Sequence, residues 1–376
     1  MTVSKHVNVI LFLIFLSFCN SGKHSRIKQV VTDINQEPVD VRFILKKTVH
    51  IPDLIEDSGF LFLNKEYIFL QGRFLPETDQ FKIIQYDSEL KKKNEFNFKF
   101  GQGPGELSDG TMFRAYGENF VTFDNVSARG TIYDKNFNLK EIFRVPRNFA
   151  VTLTDDGQKW LLTTQCMEKN NRRLWGYNLN TGDFPKEKIK KIFTIGPYLF
   201  RDKNYKFIIG SRPQFRYFVK SDKIYFVNLN EYIISIINFN GELLKQVKLN
   251  YERNKVTVED KKRFFKETKL DRNRFTLFDY VIPGSTVIPL SKGFIVLRRN
   301  NYFRRTQDDG PIAGDYFDFE LNSRGTVKCP YFTRVNSLDT AFYRLCTGYM
   351  GGYLYLITNK DDDHFIQKWK IEESKI

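Results

Sequence analysis

Histidine and cysteine are both scarce in this chain, four of each in 376 residues. That leaves few of the ligands and bases on which zinc sites and imidazole chemistry depend. With Cys19 set aside at the end of an N-terminal signal, Cys166, Cys329 and Cys346 remain. An odd number of scattered thiols makes no disulfide framework and no metal-ligand spacing, so all three are expected as small hydrophobes packed in strands. His6 falls inside the signal and His24 just beyond it; His50 and His364 fall on neighbouring outer strands and are expected as a surface pair. No run of eighteen apolar residues exists, so no mature helix spans a membrane. Gly101 to Gly105 lacks the Gly-Lys-Ser/Thr ending and following helix of a phosphate loop. Asp361, Asp362 and Asp363 read as an acidic surface turn more readily than as a Ca²⁺ loop. Neither a metal set, nor a cofactor signature, nor a catalytic constellation is expected.

Aromatic residues are plentiful. Thirty-seven Phe and nineteen Tyr favour strands over helices. A short, very apolar quartet recurs at Tyr67–Leu70, Phe120–Phe123, Trp160–Thr163, Ile224–Val227, Phe294–Leu297 and Tyr353–Leu356. Spacings of roughly 40 to 70 residues suit one four-stranded blade each. Each quartet follows a partner strand across a tight turn, such as Gly117-Glu118, Ser221-Asp222, Ser291-Lys292 or Gly351-Gly352. Third strands follow, then second turns at Asp134–Asn136, Asn180–Gly182, Asn240-Gly241 and Asn322–Gly325. The last repeat lacks a fourth strand, whereas Val41 to Ile51 is a surplus strand ahead of the first. A ring closed by the N-terminal strand resolves both and removes exposed sheet edges. The sequence therefore predicts an all-β, six-bladed β-propeller over residues 41–376. One helical insertion is expected near 257–271, where Thr257 to Asp260 forms a capping box and Val258, Phe264, Phe265 and Leu270 mark an apolar face.

Residues 1–18 read as a signal peptide. Lys5 precedes an apolar stretch, Val9 to Phe18, too short for a membrane span. Cys19 and the polar residues after it form a lipobox-like end, so lipidation at Cys19 is expected, with residues 19–40 as a lipid-anchored tether. Phe18 departs from the small residue usual before a lipidated cysteine. The formal charge of +15 comes mainly from lysines interleaved with acids, a solvated surface more than a dedicated site. In an exported protein nucleic acid is not an expected partner, whereas anionic headgroups and glycans are accessible.

Six such repeats, the lipobox-like start and the crossover Phe100-Gly-Gln-Gly-Pro-Gly-Glu-Leu107 resemble the six-bladed β-propeller lipoproteins of bacterial envelopes, common in Bacteroidetes, with NHL-repeat and TolB-like propellers as more distant kin. The resemblance implies the fold and an exported, lipid-anchored location in the cell envelope. It carries no catalytic residues.

Within such a ring the turns between strands one and two, and three and four, share one face and are short. The other face gathers the long connections, near 72–80, 101–111, 196–214, 251–284, 299–314 and 333–341. Long loops on a rigid scaffold are where binding residues concentrate. First strands carry Arg114, Arg216 and Arg344, and Arg299, Arg304 and Arg305 crowd one long connection beside Tyr302. Guanidinium forks suit carboxylate or phosphate, and tyrosine suits a sugar or aromatic ring. Pairing of each arginine with a nearby acid is the competing expectation. Gln102 and Glu106 of the glycine-rich crossover adjoin the same face. The functional expectation is a monomeric, non-catalytic binding propeller taking a glycan, peptide or envelope protein, with an anionic ligand as one option. A propeller hydrolase or lyase acting at the channel mouth is the alternative.

Overall fold

The computed structural model describes residues 30–33, 35, 37–54, 60–64, 66–74, 80–99, 101, 103, 105–107, 111–116, 118–124, 127–145, 149–153, 159–167, 174–184, 190–199, 204, 206–209, 215–251, 255–277, 284–298, 312–329, 347–360 and 363–373. Six antiparallel sheets of at least four strands each form the six-bladed β-propeller. After β1 (Val30–Asp33) and β2 (Val41–Ile51), blade one holds β3 (Phe60–Leu63), β4 (Ile68–Phe74), β5 (Gln80–Tyr86) and β6 (Lys92–Phe98). Blade two holds β7 (Thr111–Tyr116), β8 (Asn119–Asp124), β9 (Arg129–Tyr133) and β10 (Leu139–Arg144). Blade three holds β11 (Phe149–Leu153), β12 (Lys159–Met167), β13 (Leu174–Asp183) and β14 (Lys190–Leu199). After β15 (Phe207–Ile209), blade four comprises β16 (Phe215–Lys220), β17 (Lys223–Asn228), β18 (Ile233–Asn238) and β19 (Leu243–Asn250). Helix α1 (Val258–Thr268) and β20 (Phe275–Leu277) precede blade five: β21 (Gly284–Pro289), β22 (Gly293–Arg298), β23 (Ile312–Asp318) and β24 (Ser323–Cys329). Blade six holds β25 (Thr347–Met350), β26 (Tyr353–Lys360) and β27 (Asp363–Glu373), and β2 pairs antiparallel with β27 as its fourth strand. The ring closes with strands from opposite ends of the chain, and β25 then lies beside β3.

The apolar quartets lie in second strands because both faces of those strands are covered. In β22, Phe294 and Val296 enter the core shared with blade four, while Ile295 and Leu297 enter the core shared with blade six. β17 does the same: Tyr225 and Val227 face blade five, and Ile224 and Phe226 face blade three. Every neighbouring pair of blades thus shares one apolar cluster. Phenylalanine dominates between blades one and two, where Phe120 stacks on Phe137 at 4.3 Å between centroids and Phe62 on Phe69 at 4.9 Å. Each fully buried ring contributes about 2–3 kcal/mol. The last cluster, including Ile51, Ile68, Tyr355 and Ile366, joins blade six to blade one.

One turn recurs between third and fourth strands. Asp87, Asp134, Asn238 and Asp318 each accept, through Oδ1, the backbone N–H two and four residues on. The residue three positions on takes a left-handed φ: Leu90 (56°), Phe137 (62°), Gly241 (87°) and Leu321 (60°). Glycine would suit that position in every blade, yet three blades place a large side chain there because it is buried in the inter-blade core. This moves two expected turns. In blade five the turn is Asp318–Asn322, and Asn322–Gly325 runs into β24; in blade three Asn180–Gly182 lies within β13.

The expected tether is docked from Val30 onward. β1 adds a fifth strand to blade four, parallel to β19 with Val30 opposite Val247 and Asp33 opposite Asn250. The next residues bind blade five: Asn35 N–H donates to Ser323 Oγ at 3.0 Å, and Val39 N–H donates to Thr326 O at 2.9 Å. The segment therefore touches blades four, five and six in succession before it closes the ring. Cys19 lies outside the described residues.

The histidine expectation is half corrected. His50 and His364 do lie on neighbouring strands, but His364 is buried, and His50 meets Asp363 Oδ1 at 3.2 Å. Cys329 is a buried free thiol, pushed up by burial, as expected of a small hydrophobe. Cys166 lies in β12, and Cys346 is outside the described residues.

Candidate functional site: the face of the long connections

Antiparallel alternation puts the ends of second and fourth strands, and the starts of first and third strands, on one face. Two of the long connections on it are joined. β15, from the link between blades three and four, pairs parallel with β20, from the link between blades four and five. Lys206 Nζ donates to Arg272 O at 2.7 Å beside that pairing. Between them α1 starts at a reciprocal cap: Thr257 Oγ1 accepts from Asp260 N–H at 3.0 Å, and Asp260 Oδ2 accepts from Thr257 N–H at 2.9 Å. Phe264 is fully buried and holds the helix down; Val258, expected on the apolar face, is exposed. The helix turns out of its last turn at Lys269, whose φ is 54°.

Two of the predicted arginines share one local device. Arg114 Nη1 donates to Phe113 O at 2.6 Å, and Arg216 Nη1 donates to Phe215 O at 2.9 Å. Both side chains are half-buried on first strands, in blades two and four. They meet electrostatically at Tyr217. Burial raises its hydroxyl well above the ordinary value, and the charges of Arg114 and Arg216 both pull it down. The hydroxyl points at Leu161 O of blade three, 3.5 Å away. Charges from blades two and four thus both bear on the Tyr217 hydroxyl. Tyr217 was missed by the sequence reading, although it directly follows Arg216.

Glu106 is engaged inside its own loop. Its Oε2 accepts from Gly103 N–H at 2.6 Å, its N–H donates to Gly103 O at 3.1 Å, and its carbonyl oxygen accepts from Arg129 Nη2 at 3.4 Å. A Cβ on Gly101 or Gly103 would meet that carboxylate at 2.2 or 2.7 Å. Gly105 takes a left-handed backbone at φ 77°, whereas Gly103 does not. Gln102, Arg299, Tyr302, Arg304, Arg305 and Arg344 lie outside the described residues.

A further polar layer was not foreseen. The residue directly after the apolar quartet is Gln71, Asp124, Asn228 or Arg298 in blades one, two, four and five, at the long-connection ends of second strands. Gln71 Nε2 donates to Thr111 O of the neighbouring blade at 2.6 Å, and Asp124 Oδ2 accepts from Ser127 Oγ at 2.8 Å. The largest group joins blades four and five. Arg298 Nε donates to both oxygens of Asp315 at 3.0 Å, Arg298 Nη2 also reaches Oδ1, and the Tyr232 hydroxyl donates to Asp315 Oδ2. The Asp315 side chain is 0% exposed and that of Arg298 16%. Burial, and then the Asp315 charge, push the Tyr232 hydroxyl far above its ordinary range. Burial works against the Arg298 charge, but Asp315 outweighs it and holds the guanidinium pKa above its usual value. The sequence signal was a polar residue directly after the apolar quartet in these four blades. Among the described residues, no three His, Cys, Asp or Glu side chains are grouped to hold a metal ion.

No protein-family model matches the sequence, and no curated protein matches it. Solved structures do. A Bacteroides fragilis protein inferred to be exported superposes at TM-score 0.54 with 9% identity, over 93% of this chain and 100% of the other. A member of the DUF4221 family from Bacteroides vulgatus superposes at TM-score 0.55 with 11% identity, over 89% of this chain and 99% of the other. The likeness shows the fold. At such identities it carries no site, and the NHL-repeat and TolB-like kinship stays an expectation from sequence.

Proposed function

We propose that this chain is an exported, lipid-anchored envelope protein whose long-connection face binds an anionic ligand, carried by a glycan, peptide or protein partner. The observation behind the binding reading is that Arg114 and Arg216 lie half-buried on the first strands of blades two and four, each donating to the carbonyl oxygen of the residue before it. Two guanidinium groups on first strands raise the local potential and favour carboxylate or phosphate. The joined connections add a rigid rim, which lowers the ordering cost of binding. Export rests on the apolar stretch Val9 to Phe18 and anchoring on Cys19; the Bacteroides fragilis neighbour named for export is in keeping with the first alone.

Small carboxylates, phosphates and glycans, arrayed against wild type and the Arg114→Ala/Arg216→Ala variant, test the binding site. Preference for anions, lost in the variant while its melting transition is kept, supports the reading. Preference for neutral ligands, or binding that survives the double change at physiological salt, overturns it. For the anchor, Cys19→Ala is expected to move the protein from membranes to the soluble fraction. A wild-type protein that is already soluble removes the anchor and leaves export alone.

A further inference from the structure

We propose that α1 and the turn after it form a second binding surface on the same face, for a linear anionic polysaccharide. The inference rests on the binding reading above only in assigning function to this face; its residues are different.

The sequence of the insertion is one-sided in charge. Lys262 and Lys266, four residues apart, stack along one side of the helix, and Lys269 follows at its left-handed C-cap. The helical rise separates Lys262 from Lys266 by about 6 Å. All three are exposed, and among the described residues no carboxylate is paired with them. Two of the segment's acids sit at the other end, while Glu267 and Asp271 lie in sequence among the basic residues. Asp260 caps the helix through Thr257, and Glu259 shares its first turn, where negative charge suits the helix N-terminus. Lysines four apart repel by a few tenths of a kcal/mol, so helix stability alone would not select this stripe.

The stripe continues past the helix. Arg272 lies over the Phe265 ring, 5.5 Å from its centroid, and Arg274 over Phe275 at 5.9 Å, so both guanidinium groups are held on aromatic faces. The surface is fixed as well as charged. Phe264 of the helix is fully buried, and the β15–β20 pairing with the Lys206 contact ties the segment after the helix to the neighbouring connection.

The chemistry favours a polymer over a membrane. A helix that enters a bilayer surface needs a free apolar face, and here Phe264 is buried, leaving Val258 as an exposed large hydrophobe of the helix. Lys262 and Lys266 about 6 Å apart, with Lys269, Arg272 and Arg274 after them, offer a run of exposed cations suited to an extended polyanion that carries a charge on each sugar.

The test uses the mature protein with polygalacturonate as the carboxylated polymer, dextran as the neutral one, and phosphatidylglycerol vesicles as the anionic surface. Wild type is expected to bind polygalacturonate in low-salt buffer and to lose it as salt rises, with little binding to dextran or vesicles. The exposed-site variant Lys262→Glu/Lys266→Glu/Lys269→Glu should weaken binding at least about tenfold, which corresponds to 1.4 kcal/mol. Lys262→Gln/Lys266→Gln/Lys269→Gln should give a smaller loss, and unchanged circular dichroism in either variant keeps the fold out of the comparison. If either triple variant unfolds, the single Lys266→Gln, at the middle of the stripe, decides by the same measurement. Arg114→Ala/Arg216→Ala should retain polymer binding, so failure of the mouth and failure of this surface read separately. Equal binding to dextran, preference for vesicles, or full binding by a folded triple variant overturns the proposal.

Discussion

Arg298 and Asp315 offer the sharpest test of what holds blades four and five together. The carboxylate has no exposure and accepts from both the guanidinium and the Tyr232 hydroxyl. Arg298→Met would leave that carboxylate buried beside a single hydroxyl donor. Asp315→Leu would leave a mostly buried guanidinium and a buried phenol without its acceptor. Breaking a buried ion pair from one side costs about 3–5 kcal/mol, so the two changes would sum to about 6–10 kcal/mol if independent.

They should not be independent. Arg298→Met/Asp315→Leu/Tyr232→Phe removes both charges and the hydroxyl that would otherwise be orphaned, and it fills the same space with apolar atoms. Such replacements range from neutral to stabilising by about 1–4 kcal/mol. The combined variant should therefore stay close to wild type while each charge variant falls well below it, a coupling of at least about 6 kcal/mol from the same ranges. Equilibrium urea unfolding of wild type, Arg298→Met, Asp315→Leu and the combined variant measures this. Additive losses, or single changes below about 1 kcal/mol, would refute the claim that the group is coupled and desolvated.

The recurring turn carries its own pH dependence. Hydrogen bonding from the Lys91 amide lowers Asp87, the Asn138 side chain lowers Asp134, and at Asp318 burial is outweighed by Asn322 and Arg324, so all three sit below the usual 3.8. Their contribution is complete above that value and is lost as pH falls through the lowered folded values; Asp87→Asn/Asp134→Asn/Asp318→Asn should flatten the acid limb of a stability–pH curve, since blade four already uses Asn238. At Leu321, 2% exposed with φ 60°, Ala should be worse than Gly: both lose about 2–5 kcal/mol of packing, but Ala keeps the left-handed backbone cost of about 1–2 kcal/mol, and chemical denaturation ranks the two. In the crossover, Gly103→Ala should destabilise by pressing on the Glu106 carboxylate and be less costly in a Glu106→Ala background, whereas Gly105→Ala, in open space at φ 77°, should cost about 1–2 kcal/mol in either background. Thermal melts of these variants separate contact from backbone strain.

The fold was legible because its strongest signal is local and repeated. Residues buried on both faces of a strand must be apolar in sequence order, which is what Phe294 to Leu297 and Ile224 to Val227 display. Counting strands at the two ends then required Val41 to Ile51 to sit beside β27, and it does. What failed was decided by contacts that the local sequence does not encode. Leu90, Phe137 and Leu321 occupy glycine-like backbone because inter-blade burial outweighs the strain, so reading turns from glycine moved the blade-five turn by several residues. Val30 to Asp33 gave no hint of a partner, since a parallel outer strand is chosen by the edge it meets, and β19 lies more than two hundred residues away.

The face that carries function was harder to read for a related reason. Arg114 and Arg216 were visible as first-strand arginines, but their common neighbour Tyr217 emerges only when blades two, three and four are brought side by side. The buried group around Asp315 shows the converse limit. A carboxylate in a strand between apolar residues looks like a surface position on an alternating pattern, and only the packing of Tyr232 and Arg298 makes it interior. Ring closure links the two outcomes. Neighbouring blades share apolar cores all around the axis, so polar groups at the strand ends are held in fixed positions by packing that does not involve them. A change in the long connections can then alter what the face binds while the six clusters beneath it keep their geometry.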